Sequence, residues 1–197
     1  DLIGVDLFIG AGGVFDTTTD PDDYAIDTTD ATGFSVEGAD ISIAIATVTD
    51  ATAADTRRWT AVAAEVDGLL PVGLPEDFDL RINNLVVQYN SATGDDGESI
   101  TVDASAINWS TLGSGTPLGN VTGASDIFVA GDVTIDLGGF VMVSGSFSLT
   151  KASLTGIDIG DVDEAEATVL KDIDLLTISL TSVNLFVGVG GEFDPST

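Results

Sequence analysis

The chain has 197 residues, 33 of them acidic and only five basic, for a net charge of −28. Phosphate binding needs clustered Lys and Arg, so nucleic acid is excluded as a partner, and an anionic membrane surface would repel the chain. A hydrophobic content of 44% rules out a disordered acidic tail, no apolar run reaches the roughly 18–20 residues of a membrane helix, and with no Cys there are no disulfides.

Taken in chain order, the pattern is period two, the mark of strands with one buried face. Strands are expected at 3–15, 34–49, 57–66, 78–90, 99–107, 126–137, 141–151, 168–180 and 183–193. Ile41, Ile43 and Ile45 alternate with Ser42 and Ala44, and Val133, Ile135 and Leu137 alternate with Thr134 and Asp136. Loops are expected at 16–33, at 69–76 with Pro71 and Pro75, at 91–97 and at 112–125. Only 161–170, with its Glu and Ala residues, has helical character.

The clearest hairpin runs from Val129 to Leu149. A two-residue loop at Gly138-Gly139 would set the apolar face of one strand beside the polar face of the next. A three-residue loop, 138–140, pairs Leu137 with Val141, Ile135 with Val143, Val133 with Gly145 and Gly131 with Phe147, so the apolar side chains share a face. The Phe147 ring then lies over a cross-strand glycine. Elsewhere the alternation slips by one residue, between Ile82 and Leu85 and between Leu175 and Leu176, and each slip predicts a β-bulge or corner. The expected fold is one all-β domain: an elongated antiparallel β-sandwich or partly open barrel with long twisted strands.

The chain carries a near-duplicate at its two ends. Residues 1–16 align on 179–194 with nine identities, offset by 178 residues: Leu2, Val5, Leu7, Phe8, Gly10, Gly12, Gly13, Phe15 and Asp16 recur as Leu180, Val183, Leu185, Phe186, Gly188, Gly190, Gly191, Phe193 and Asp194. A duplicate at a domain-sized offset predicts one period of a tandem array plus the first strand of the next. Residues 1–16 then correspond to the end of a preceding repeat, and 17–197 form one repeat unit. The competing explanation is a pair of symmetry-related strands within one closed domain.

The stretches "NLFVGVGGEFD", "GFSVEGADISIAIATVTD", "LRINNLVVQYN", "INWSTL" and "FVAGDVTIDLGGFVMVSGSFSLT" resemble the tandem repeats of very large bacterial secreted or cell-surface, adhesin-like proteins. That resemblance implies extracellular, β-rich repeated units and no catalytic residues.

The chemistry on offer is thin. With no His or Cys, and no nucleophile motif, an enzyme is not expected. The glycine-rich stretch "GVGG" at 188–191 does not make a phosphate loop, since no Lys-Ser/Thr and no helix follow; its glycines suit close backbone approach or a bulge. Asp20, Asp22, Asp23 and Asp27 form the densest acidic loop and are candidate calcium ligands, although no EF-hand spacing is present. Residues 94–98 and the acids Asp158, Asp161, Asp163 and Glu164 are weaker candidates, the former reading more readily as a Gly/Asp turn. Trp59 and Trp109 are expected in a core or rim, with sugar stacking as the alternative.

The expected function is a structural repeat unit of an extracellular fibre or surface-adhesin stalk, its partners adjacent copies of the same unit in the same chain or neighbouring subunits. The interface residues are Val5, Leu7, Phe8 and Phe15 at one end and Val183, Leu185, Phe186 and Phe193 at the other. Two alternatives stand beside it: a calcium-dependent adhesive or ligand-binding module, and a self-assembling surface-layer or filament subunit.

Overall fold

The computed structural model describes residues 1–16, 25–49, 54–75, 77–98, 100, 102–111, 115–158 and 170–193. Strands β1 (Leu2–Ala11), β2 (Val14–Asp16), β3 (Ala25–Asp27), β4 (Thr32–Thr47), β5 (Arg58–Val72), β6 (Phe78–Thr93), β7 (Ile127–Leu137), β8 (Val141–Asp158) and β9 (Leu170–Val187) make up nearly all of its regular structure. Seven of them form one antiparallel sheet in the order β1-β4-β5-β6-β7-β8-β9, while β2 and β3 pair in a small two-stranded sheet. The all-β, antiparallel expectation holds, and the large sheet stays open instead of closing into a barrel.

The β7–β8 hairpin adopts the three-residue loop: Leu137 faces Val141, Ile135 faces Val143 and Gly131 faces Phe147. Gly138 (φ 61°) and Gly139 (φ 68°) supply the left-handed backbone this turn needs. The slip between Ile82 and Leu85 is a bulge with Asn84 at φ 51°, and the register with β7 shifts there. No bulge lies between Leu175 and Leu176, whose pairing with Ala152 and Lys151 is continuous. Both side chains are exposed on an edge strand, so neither has to be turned to a buried face. The β8–β9 irregularities fall instead near Gly156 and Ser182.

Other boundaries move. β5 runs on to Val72, through the Pro71 expected in a loop. Proline is tolerated there because its pairing with β6 has ended by Leu69 and no ladder N–H is required. The expected strands 168–180 and 183–193 form one strand, β9, bent at Ser182. Residues 102–108 form no strand beyond a single bridge from Asp103 to Asp95. The helix expected over 161–170 lies almost wholly outside the described residues.

The core is in the middle of the sheet. On one face the small side chains Ala44, Ala46, Ala61 and Ala63 let a non-strand cover pack close, and Trp109, Leu118 and Val121 of that cover are buried on them with Trp59. Asn90 pins the cover down. Its buried amide donates to the Ile107 and Thr122 carbonyls at 2.9 Å each and accepts from the Trp109 indole N–H at 3.0 Å. The Trp59 indole donates to the Ser105 carbonyl at 2.8 Å. The Ser105, Ile107 and Thr122 carbonyls are thus satisfied by side chains of the sheet rather than by a ladder, which explains why 102–108 need not be a strand. On the opposite face, Val36, Ala39 and Val66 are buried against Ile41, Leu69 and Leu85.

Candidate assembly interface

The two near-identical segments lie at opposite edges of the sheet. β1 pairs only with β4, and the second half of β9 pairs with β8. Among the described residues no strand of the large sheet pairs with the outer side of either.

The two copies share their conformation as well as their residues. Gly4 has φ 61° and its counterpart Ser182 has φ 53°, although Ser has no intrinsic ease in that region. Gly12 and Gly190 follow at φ 85° and 77°. In each copy the phenylalanine ring folds onto the glycines that follow it. A Cβ on Gly13 would stand 2.7 Å from the Phe8 ring, and one on Gly191 would stand 2.6 Å from the Phe186 ring, so only glycine fits beneath either ring. The close approach expected at 188–191 is made by side chains, the Phe186 ring at Gly188 and Gly191, whereas at Gly10 and Gly12 of the other copy it is made by the Thr32 and Asp30 carbonyls.

The polar fixings differ. At β1 the Gly4 N–H donates to Asp40 Oδ1 at 2.8 Å, and the Asp6 carboxylate accepts from the Gly38 N–H at 3.0 Å, tying the bulges of β1 and β4 together. At β9 the residue equivalent to Asp6 is Asn184, whose amide makes only long contacts, 3.3 Å to the Ser182 carbonyl and 3.4 Å to Ser144 Oγ.

The strand edges in use are complementary. At β9 the Gly188 N–H donates to the Phe140 carbonyl at 2.9 Å, continuing the register in which Phe186 faces Met142. Antiparallel peptide groups alternate in direction, so Phe186 and Gly188 turn theirs toward β8, while Leu185 and Val187 turn theirs outward. At β1 the reference point is Phe34, which faces Pro71 on β5 and Ile9 on β1. Pro71 has no N–H to exchange, so Phe34 directs its peptide groups to β1, and Leu7 and Ile9 direct theirs inward to β4. Phe8 and Gly10 are left facing outward. The edge occupied in one copy is the edge left open in the other.

The faces agree too. Leu7 sits beside Val36, Leu69, Ile82, Val133 and Gly145 in successive registers, and Val143, two residues before Gly145, is opposite Leu185. Leu7 and Leu185 therefore project from the same face. Six antiparallel steps separate β1 from β9, so the two strands also run in the same direction.

Of the expected interface residues, Leu7, Phe15, Val183, Leu185, Phe186 and Phe193 are exposed, Leu185 by 66% and Phe15 by 68%, while Val5 and Phe8 are half-buried. Val5, Leu7 and Phe8 lie on β1 and Val183, Leu185 and Phe186 on β9, while Phe15 sits on β2 of the small sheet and Phe193 follows β9 outside any strand. Met142, Ser144, Leu185, Phe186 and Phe193 line a shallow groove at the β9 edge, and Asp6, Leu7, Phe8 and Phe15 line its counterpart beside β1.

Of the candidate calcium ligands, Asp20, Asp22 and Asp23 lie outside the described residues. The Asp27 carboxylate accepts from the Thr29 hydroxyl at 2.6 Å and the Thr29 N–H at 2.9 Å, and these bonds hold its pKa below the usual carboxylate range. Among the described residues, no group of three or more His, Cys, Asp or Glu side chains is placed to hold a metal ion. In the 94–98 segment, Asp95 accepts from the Gly97 N–H, and Asp96 accepts from the Val102 and Glu98 N–H groups, which lowers the Asp96 pKa. Those two carboxylates serve the turn.

Sequence reasoning missed two polar devices. One is Asn90, whose neighbours in sequence give no hint that its partners lie 17 to 32 residues away. The other is Asp132, which accepts from Ser146 Oγ at 2.6 Å and from Asn84 Nδ2 at 2.8 Å, locking the β6 bulge to β7 and β8. Among the described residues, no helix is long and apolar enough to cross a membrane. Comparison with protein-family models, with curated proteins and with solved structures finds no match for this chain.

Proposed function

We propose that this chain is a structural repeat unit of an extracellular fibre or surface-adhesin stalk, its units joined by β-strand addition. The observation that carries this reading is the placement of two closely similar segments, with left-handed residues at matching positions, at opposite edges of an open sheet. An open edge presents unpaired N–H and C=O groups and, left bare, invites association. Edges that match each other channel that association into one end-to-end partner. The exposed apolar side chains of β1 and β9 fit the same role, as does the resemblance of the strand motifs to adhesin-like repeats. The net charge of −28 suits a medium with salt or divalent cations outside the cell, where repulsion between successive units is screened.

Immunogold labelling of intact, unpermeabilised source cells with antibody to this chain tests the reading, together with the mass of the native antigen. Surface filaments and a mass of several hundred kilodaltons are the expected result. Label confined to the cell interior would refute a fibre or stalk. A native mass near the 20 kDa of this chain would point instead to a separate subunit.

A further inference from the structure

The complementarity of the two edges carries a more specific statement about how copies join. Resting on the stalk reading, we propose that neighbouring units share a strand: residues 180–193 are at once the last strand of one unit and the first strand of the next. The partner of the open β9 edge is then strand β4 of a following copy of this chain, in the register that β1 already shows. Leu185 faces Val36 of the next copy, Phe186 faces its Ser35, Val187 faces its Phe34 and Gly188 faces its Gly33, because Leu7, Phe8, Ile9 and Gly10 face those residues within this chain.

Four observations meet here. The copies have equivalent backbone, with left-handed residues at 4 and 182 and at 12 and 190. Leu7 and Ile9 use the edge that Leu185 and Val187 leave open. Leu7 and Leu185 project from the same face, so no rotation of the strand is required. Finally, β1 and β9 run in the same direction, so setting β9 directly beside the β1 of another copy in a continuing sheet would create a parallel pair in an otherwise antiparallel sheet. A shared strand keeps every pair antiparallel. The sheet then advances by six strands, β4 to β9, per 178 residues, or about 29 Å of width per unit at the usual strand spacing. In the single chain, residues 2–11 occupy the position that the preceding copy's strand would take.

The test is a two-unit chain that continues from Asp194 of the first copy into Thr17 of a second, with Phe186→Cys in the first copy and Ser35→Cys in the second. The native chain has no Cys, so the background is zero. The pair is of the non-hydrogen-bonded kind, whose Cα atoms stand about 4.5 Å apart, within reach of a disulfide. The single chain with Phe8→Cys and Ser35→Cys is the control. Closure of the 186–35 disulfide at a rate within about threefold of the control is expected; two free thiols while the control closes would overturn the proposal.

Phe186 packs on Gly188 and Gly191, so its replacement can perturb folding. Amide hydrogen exchange on the unsubstituted chains gives an independent reading. On going from one unit to two, the Leu185 and Val187 amides of the first copy should slow at least tenfold, while Phe186 and Gly188, already paired, should change little. Unchanged exchange at Leu185 and Val187 would overturn strand sharing. Neither measurement depends on where the protein resides, so failure here leaves the surface labelling result standing, and failure of surface labelling leaves this register standing.

Discussion

The middle of the sheet and its two edges follow different rules. In the middle, β4 and β5 bury small apolar side chains beneath Trp109, Leu118 and Val121 of the cover, and Asn90 of β6 makes three hydrogen bonds across the gap. At the edges, β1 and β9 bury almost nothing, yet they are no less apolar: Leu2, Ile3, Ile9, Leu180, Leu185 and Val187 are all exposed. Burial within one unit accounts for the sequence of the middle and does not account for the sequence of the edges. Apolar strands with unpaired peptide groups are what a protein avoids unless a second chain segment completes them.

The largest effect should come from removing one edge. Deleting residues 1–16 uncovers the β4 edge while leaving β9 open, so the truncated chain should associate head to tail and sediment as concentration-dependent oligomers. A monomer of unchanged stability would break the contrast between core and edge. In the middle, Asn90→Leu leaves the Ile107 and Thr122 carbonyls and the Trp109 indole N–H without their partner, and should cost about 3 kcal/mol in urea unfolding. A loss under 1 kcal/mol would mean that the cover is not fixed through Asn90.

The bulge positions sharpen the comparison between the copies. Gly4→Ala forces a Cβ into a left-handed residue and should destabilise by about 1 kcal/mol, whereas Ser182→Gly relieves the same strain at the other edge and should stabilise by up to about 1 kcal/mol. Opposite signs in thermal melts are the expected outcome. Equal signs would mean that the two bends are not equivalent.

Acid acts on both regions by a smaller amount. The pKa of Asp132 is lowered by hydrogen bonds from Ser146 and Asn84, and that of Asp174 by Ser153 and Lys151. A depressed folded-state pKa contributes stability that is fully present above the unfolded value of about 4 and is lost as pH falls through the folded value. The pH–stability curve should therefore bend downward below about pH 4, and Asp132→Asn should flatten that bend. Smallest of all, raising NaCl from 10 to 500 mM should raise the melting temperature modestly by screening the net charge of −28; a fall would contradict that account.

Much of this was legible in the residues. Alternation located most of the strands, and the demand that apolar side chains share a face selected the three-residue loop at 138–140 over the shorter one. The slip between Ile82 and Leu85 marked the Asn84 bulge because both residues had to return to one face. The same logic failed at Leu175 and Leu176, where an uncovered edge strand imposes no such demand. Over 102–107 the strand expected at 99–107 does not form, because the Ser105 and Ile107 carbonyls find their donors on Trp59 and Asn90 rather than on a neighbouring strand, and local alternation carries no record of partners that distant.

Side-chain period, turn residues and identity along the chain were enough to set the fold class, the strand register around short turns and the existence of a duplicated strand. That the duplicates occupy opposite edges, bend at the same residue, project from the same face and turn opposite rows of peptide groups to their neighbours emerges only once the sheet is assembled. Those properties depend on how many strands lie between the copies and on where bulges shift the register, and both are fixed by long-range pairing that no stretch of sequence holds alone.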